Sequence, residues 1–306
     1  MLFAKTVVGA CALLVVALEL CSVYLVRRYS VTFARVSRQY MEAVRARPAG
    51  PGEPISVLLV GNSLLLDGVD VAQLQERTSK SLRIYPIFLE GTGYYDWLYG
   101  LHRLFRHGAR PQVIVVGLET YSALDNGVWE ETPALLFDAR DVLGAASDMR
   151  LDHTATTGLM LSHWSAFWGM RSLFRRRILR ALIPNYDDLF PFIRPDDLTL
   201  PNGQDLEAMV SARVRNLREL CEAHGAKLII VIPPTPASEN EVRQMVNASE
   251  KVGVKALAPI DTVKLAPNFY EADAIHLNAA GAVRFTSALA DDLPKTVSAA
   301  TNHISQ

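Results

Sequence analysis

Ile55-Ser56-Val57-Leu58-Leu59-Val60-Gly61-Asn62-Ser63-Leu64 is the stretch that decides the fold. Residues 55–60 form a short apolar run rich in Val and Leu. It follows the breaker-rich Arg47-Pro48-Ala49-Gly50-Pro51-Gly52-Glu53-Pro54. A run of that length between turn signals reads as a strand buried on both faces, the habit of a parallel sheet. It stops at Gly-Asn-Ser, so a serine stands just past the strand's carboxyl end.

The pattern repeats downstream. Residues 71–80 have helical spacing, 82–89 read as a second strand, and 96–107 carry Trp97, Leu98, Leu101, Leu104 and Phe105 as a helix stripe. A third strand is expected at 113–117. A long amphipathic helix over 206–224 ends near Gly225, a suitable C-terminal cap. Residues 227–232 form a fourth strand, stopped by Pro233-Pro234. A helix over 239–252, a short strand over 254–257 and a last helix over 279–293 complete the series. This alternation predicts an α/β fold: a parallel five-stranded sheet with helices on both faces.

Ligands of such sheets sit at the carboxyl ends of the strands. Ser63 follows the first strand, Glu90-Gly91-Thr92-Gly93 the second, Glu119 the third and Thr235 the fourth, so these loops converge on one rim. Residues 128–201 break the alternation. They hold Trp129, Trp164, Trp168 and the basic run Arg171-Ser172-Leu173-Phe174-Arg175-Arg176-Arg177-Ile178-Leu179-Arg180, and read as an insertion or lid. A basic helix of this kind suits an anionic membrane surface or acidic polymer, or simply a solvated face.

Upstream, residues 6–26 are apolar or small except for Glu19. As a helix they cover about 30 Å of hydrocarbon, too long for a signal-peptide core. The expected organisation is an anchor over 1–28, a helical stalk followed by a linker over 29–54, and an α/β domain over 55–295 that contains the insertion. Arg27, Arg28, Arg35 and Arg38 follow the anchor, against Lys5 before it, and the positive-inside rule alone would leave the domain in the cytoplasm.

The chain has 306 residues, is 50% hydrophobic and 21% charged, and has a formal net charge of −1, which suits one large core and offers no global attraction to nucleic acid. Of the cysteines Cys11, Cys21 and Cys221, the first two lie in the apolar segment. No Cys/His cluster has zinc-ligand spacing, and His102, His107, His153 and His163 are not spaced as ligands. No disulfide, metal or cofactor is expected.

The chemistry comes from pairing Ser63 with a second motif, Asp273-Ala274-Ile275-His276-Leu277-Asn278, just before the last helix. Serine is a weak nucleophile until a base takes its proton. His276 is the candidate base, and Asp273 is placed to fix its tautomer and stabilise the imidazolium. Tyr94, Tyr95 and Trp97, beside the glycine loop, are expected to pack the helix or to line an acyl or sugar site.

Taken together these motifs resemble the SGNH/GDSL hydrolase superfamily over about residues 55–293. Gly61-Asn62-Ser63-Leu64 is similar to its first block, with Asn62 a familiar variant and possible site-lining residue. The resemblance implies a flavodoxin-like three-layer α/β/α fold, with Ser63, Asp273 and His276 catalytic. It also implies an oxyanion hole built from the Ser63 N–H and a glycine N–H. Gly91 and Gly93 both fit the second block, with Gly91 the preferred match. The third block departs from the family: Gly117-Leu118-Glu119-Thr120 has Glu119 where the pattern has an oxyanion-donating Asn. A carboxylate is an acceptor, and loss of one such donor costs about 3 kcal/mol. Asn126 is a nearby substitute.

The resemblance points to a membrane-anchored serine esterase or acyltransferase facing out of the cytoplasm. Its expected substrates are acylated carbohydrates or small esters, foremost O-acetyl groups of cell-surface glycans, within a polysaccharide-modification complex. The alternatives are a catalytically impaired glycan-binding or scaffold protein, and a lipase or thioesterase at the membrane surface.

Overall fold

The computed structural model describes residues 2–186, 203–235, 239–260 and 265–302. Five strands, β1 (Ile55–Gly61), β2 (Leu82–Phe88), β3 (Val113–Gly117), β4 (Lys227–Val231) and β5 (Lys255–Leu257), form one sheet. Its order is β2-β1-β3-β4-β5, and every pairing is parallel. That order is flavodoxin-like, and it reverses between β1 and β3. This is the fold that the SGNH/GDSL resemblance implied.

Alternation along β1 divides the core. Val57 and Leu59 face one layer, formed by α3 (Ser63–Gly68), α4 (Val71–Thr78) and α14 (Ala279–Asn302). Leu58 and Val60 face the other. That layer holds α2 (Val31–Val44), α5 (Tyr94–Arg106), α12 (Gly203–Ala223) and α13 (Glu239–Lys251). All four of these β1 side chains are 0% exposed. Burying one such side chain contributes about 1.5–3 kcal/mol, so the strand that carries the serine loop is also among the most firmly held.

Two helices depart from the sequence expectation. The segment expected as a helical stalk is helical over Val31–Val44, but it packs on the domain. Ser30 caps α2, accepting from the Phe33 N–H at 3.1 Å, and α2 buries Val36, Gln39, Tyr40 and Ala43 against the domain. Gln39 Oε1 accepts from the Phe88 N–H at 3.2 Å, while Arg35 donates to the Phe88 carbonyl. The helix thus satisfies and covers β2, an edge strand whose polar groups would otherwise be open to another chain. At the other end, α14 continues past the expected stop at 293 through Pro294, because Val297 beyond it is fully buried.

The insertion begins with four helices after α6 (Thr120–Leu124): α7 (Thr132–Leu136), α8 (Ala139–Asp148), α9 (His153–Trp164) and α10 (Ala166–Gly169). The basic run then forms α11 (Arg171–Leu182). Its remainder, 187–201, lies outside the described residues. The N-terminal α1 (Leu2–Tyr29) is long and apolar enough to cross a membrane, and the membrane-length segment in it is Phe3–Tyr29.

Candidate active site

Ser63 is the first residue of α3. Asn62 precedes it as the N-cap, its Oδ1 accepting from the Leu64 N–H at 3.0 Å. The Asn62 side chain is therefore turned onto its own helix. Gly61 and Gly117 end the two adjacent strands, and a Cβ on either would run into Leu65 of α3. Both glycines let Leu65 nest between the strand ends, which seats the serine at the point where the sheet order reverses.

His276 is held by a tight loop. Tyr270 and Leu277 form an isolated antiparallel bridge, and the Glu271 N–H donates to the His276 carbonyl at 2.7 Å. Asp273 Oδ1 accepts from the N–H groups of Ile275 (2.8 Å) and His276 (3.0 Å). Between them Ala274 takes φ +57°, a left-handed conformation that costs a non-glycine residue about 1–2 kcal/mol and persists only where its surroundings impose it. Asn278 then caps α14, its Oδ1 accepting from Ala280 and Gly281 N–H groups at 3.1 Å.

These two loops meet. His276 Nε2 lies 2.8 Å from Ser63 Oγ, and its Nδ1 lies 2.5 Å from Asp273 Oδ2. With the Nδ1 proton donated to the carboxylate, Nε2 is left to accept from the serine hydroxyl. Burial alone would raise the Asp273 pKa. The hydrogen bonds from His276 and Ile275 outweigh that and hold it below the usual carboxylate range.

The glycine loop stands beside this pair. Gly91 has φ +73°, and a Cβ there would overlap the Trp129 ring. The Gly93 N–H is already committed, donating to Asp96 Oδ2 at 2.9 Å, whereas the Gly91 and Ser63 N–H groups donate to no other group among the described residues. Asp96 is fully buried and also accepts from the Trp129 N–H at 2.9 Å, so one carboxylate ties the glycine loop to the insertion. Burial raises its pKa to about 7. Tyr94 and Trp97 are core residues, 2% and 0% exposed, which favours the packing reading of that aromatic group.

Glu119 does not point across the site as an unpaired charge. It is the N-cap of α6, its carboxylate accepting from the N–H groups of Tyr121 (2.5 Å) and Ser122 (2.6 Å). Burial raises its pKa against those bonds. Asn126 is engaged as well: Arg213 donates to its Oδ1 and, through Nη1, to the carbonyls of Ala123 (2.6 Å) and Asp125 (2.9 Å).

Two further carboxylates stand at the rim, and one of them, Asp67, escaped the sequence reading. Asp67 lies on α3 one turn after Ser63, a spacing of four that puts both on one helix face. Partial desolvation raises its pKa; the charge of His276 opposes this, while Glu90 and Asp273 add to it. Glu90, beside Gly91, pairs with Arg35 at 2.8 Å. Among the described residues no group of three or more His, Cys, Asp or Glu is arranged to hold a metal ion.

No protein-family model matches the sequence, and no curated protein matches it significantly. Several solved structures are similar. TesA aligns at TM-score 0.44 and 15% identity, covering 79% of this chain and 99% of its own. LAE5, an α/β hydrolase enzyme from the metagenome of Lake Arreo, Spain, aligns at 0.42 and 11%, covering 83% and 98%. A catalytic mutant of Axe2, an acetylxylan esterase from Geobacillus stearothermophilus, aligns at 0.38 and 10%, covering 79% and 95%. All three likenesses are distant, and the chemistry assigned to this chain rests on its own side chains.

Proposed function

We propose that this protein is a membrane-anchored serine esterase or acyltransferase of SGNH type, acting on O-acyl groups, foremost O-acetyl, of cell-surface glycans. The observation that carries the reading is the unbroken hydrogen-bonded chain from Asp273 through His276 to Ser63 Oγ. His276 Nε2 takes the hydroxyl proton as Oγ attacks the ester carbonyl carbon. The tetrahedral oxyanion is met by the N–H groups of Ser63 and Gly91. Asp273 stabilises the imidazolium. His276 returns the proton to the leaving alcohol, which departs and leaves an acyl-Ser63. Water or a sugar hydroxyl, deprotonated by the same imidazole, then releases the acyl group. Glu119 serves as the N-cap of α6, its carboxylate engaged by the N–H groups of Tyr121 and Ser122.

We propose a domain outside the cytoplasm on a single-pass anchor, the side that the SGNH resemblance implies, against the arginine count after the anchor. A reporter fused after Gln306 reads this directly; cytoplasmic reporter activity refutes it. A second reading, a lipase or thioesterase at the membrane surface, is favoured by one contact. Arg35, in the second turn of α2 and close after the anchor, pairs with Glu90 beside Gly91. The test is hydrolysis by the full-length protein in detergent of p-nitrophenyl acetate and of its long-chain analogues. Preference for acetyl is expected. Preference for long chains supports the lipase reading, and no turnover of either argues for a binding or scaffold role.

A further inference from the structure

The insertion and the anchor are joined at an unusual place. Glu19 lies inside the apolar helix, and its carboxylate accepts from Ser165 Oγ (2.6 Å), the Ala166 N–H (2.6 Å) and the Phe167 N–H (3.2 Å). It thereby satisfies the start of α10, and it locks the insertion to α1 at that level. Beyond Glu19, α1 buries one face, with Ser22 and Val26, and leaves Leu20, Tyr24 and Leu25 open; from Phe3 to Leu18 every side chain is exposed.

The length of the exposed part decides what lies around the insertion. Those residues rise about 24 Å at 1.5 Å each, short of the roughly 30 Å hydrocarbon core. Counted from Phe3, where the membrane-length segment starts, a full span ends near Ser22, about 4.5 Å and less than one turn beyond Glu19. A bilayer crossed by α1 therefore reaches the level at which α10 is attached.

The insertion's surface at that level is fitted to it. Trp164 is 62% exposed, and Leu161, Phe167 and Trp168 are also open. Tryptophans at this depth match the aromatic belt of a membrane interface. On α11, Ile178 and Leu182 are exposed among Arg175, Arg177 and Arg180. Between α11 and the end of α1 lies a cleft of about 720 Å³, with Leu25, Tyr29 and Phe174 in its walls, and beside them Arg177, Arg180 and Arg176, the last paired with Glu131 at 3.0 Å. An apolar cleft flanked by guanidinium groups suits the headgroup and upper chains of an anionic phospholipid.

We infer that the α9–α11 part of the insertion is a membrane-docking face, seated in the interfacial zone of an anionic phospholipid bilayer beside α1. It rests on the anchor reading above. Trp129 links it to the site, since the same insertion lays that ring over Gly91. Docking would then fix the rim of the sheet at a set height above the bilayer.

The test reconstitutes the full-length protein into phosphatidylcholine–phosphatidylglycerol vesicles containing lipid brominated either near the headgroup or near the chain ends. Tryptophan quenching is compared between wild type and Trp164→Phe/Trp168→Phe. The expected result is stronger quenching by the shallow bromines, most of it lost in the double variant. Equal quenching in the two proteins, in vesicles that resist carbonate extraction, overturns the docking face and leaves the anchor standing. Extraction by carbonate overturns the anchor, and the docking face with it. If the double variant does not fold, Phe167→Trp replaces it: a gain of shallow quenching supports the proposal, and no gain overturns it.

Discussion

The loops that leave β1 and β3 are built alike and do different work. Each ends a buried strand at a glycine, and each starts a short helix whose N-cap accepts backbone N–H groups: Asn62 for α3, Glu119 for α6. After β1 the residue beyond the cap is Ser63, half-buried and bonded to His276. After β3 it is Thr120, 3% exposed and turned into the protein. A cap commits its side chain to the backbone, so reactivity passes to the residue behind it. Glu119 is thus read as architecture, and the proposed mechanism assigns the oxyanion to two backbone donors.

The largest expected effect falls on the β1 side. Asp273→Asn should lower kcat about 10⁴-fold, because an amide in that position favours the wrong imidazole tautomer. Circular dichroism should show the fold intact. A loss of less than tenfold would break the link between this loop and the serine.

The loop after β2 tests the support of that side. Asp96 is raised from an ordinary 3.8 to about 7 by burial. A folded pKa above the unfolded one means that the native state binds the extra proton between those values. Stability from this group is therefore full below about pH 4 and is lost as pH rises to about 7, on the order of 4 kcal/mol. Thermal melts of wild type and Asp96→Asn, the isostere of the protonated acid, should lie closest near pH 4, and wild type should fall relative to the variant as pH rises, since the variant cannot titrate. A constant gap would show that the Asp96 pKa is the same in the folded and unfolded chains.

The smallest effect belongs to the β3 side. Glu119→Ala removes a cap and should cost about 1 kcal/mol in chemical unfolding, with kcat nearly unchanged. A hundredfold fall in kcat at unchanged stability would give Glu119 a part in the chemistry and end the contrast between the two loops.

Much of this was legible in the sequence, for reasons that differ by region. The strands could be read because two-sided burial writes itself as unbroken apolar runs such as 55–60. Asp273 and His276 could be read because their spacing is local. The packing of α2 could not: its buried stripe includes Gln39, whose worth lies in the Phe88 N–H far along the chain. The role of Glu119 was hidden likewise, because a carboxylate in a cap and one in a site are the same letter. Glu19 stood out in the sequence only as the exception in the apolar run, and its three donors come from an insertion whose approach no local pattern announces.

The central claim is that His276 activates Ser63 as a nucleophile, and a fluorophosphonate tests it most directly. Full-length protein is incubated with the probe, and intact and peptide masses are read for wild type, Ser63→Ala and His276→Ala. The account predicts one adduct per chain, on Ser63, absent from the first variant and strongly slowed in the second. A folded wild type that labels no faster than Ser63→Ala would contradict it.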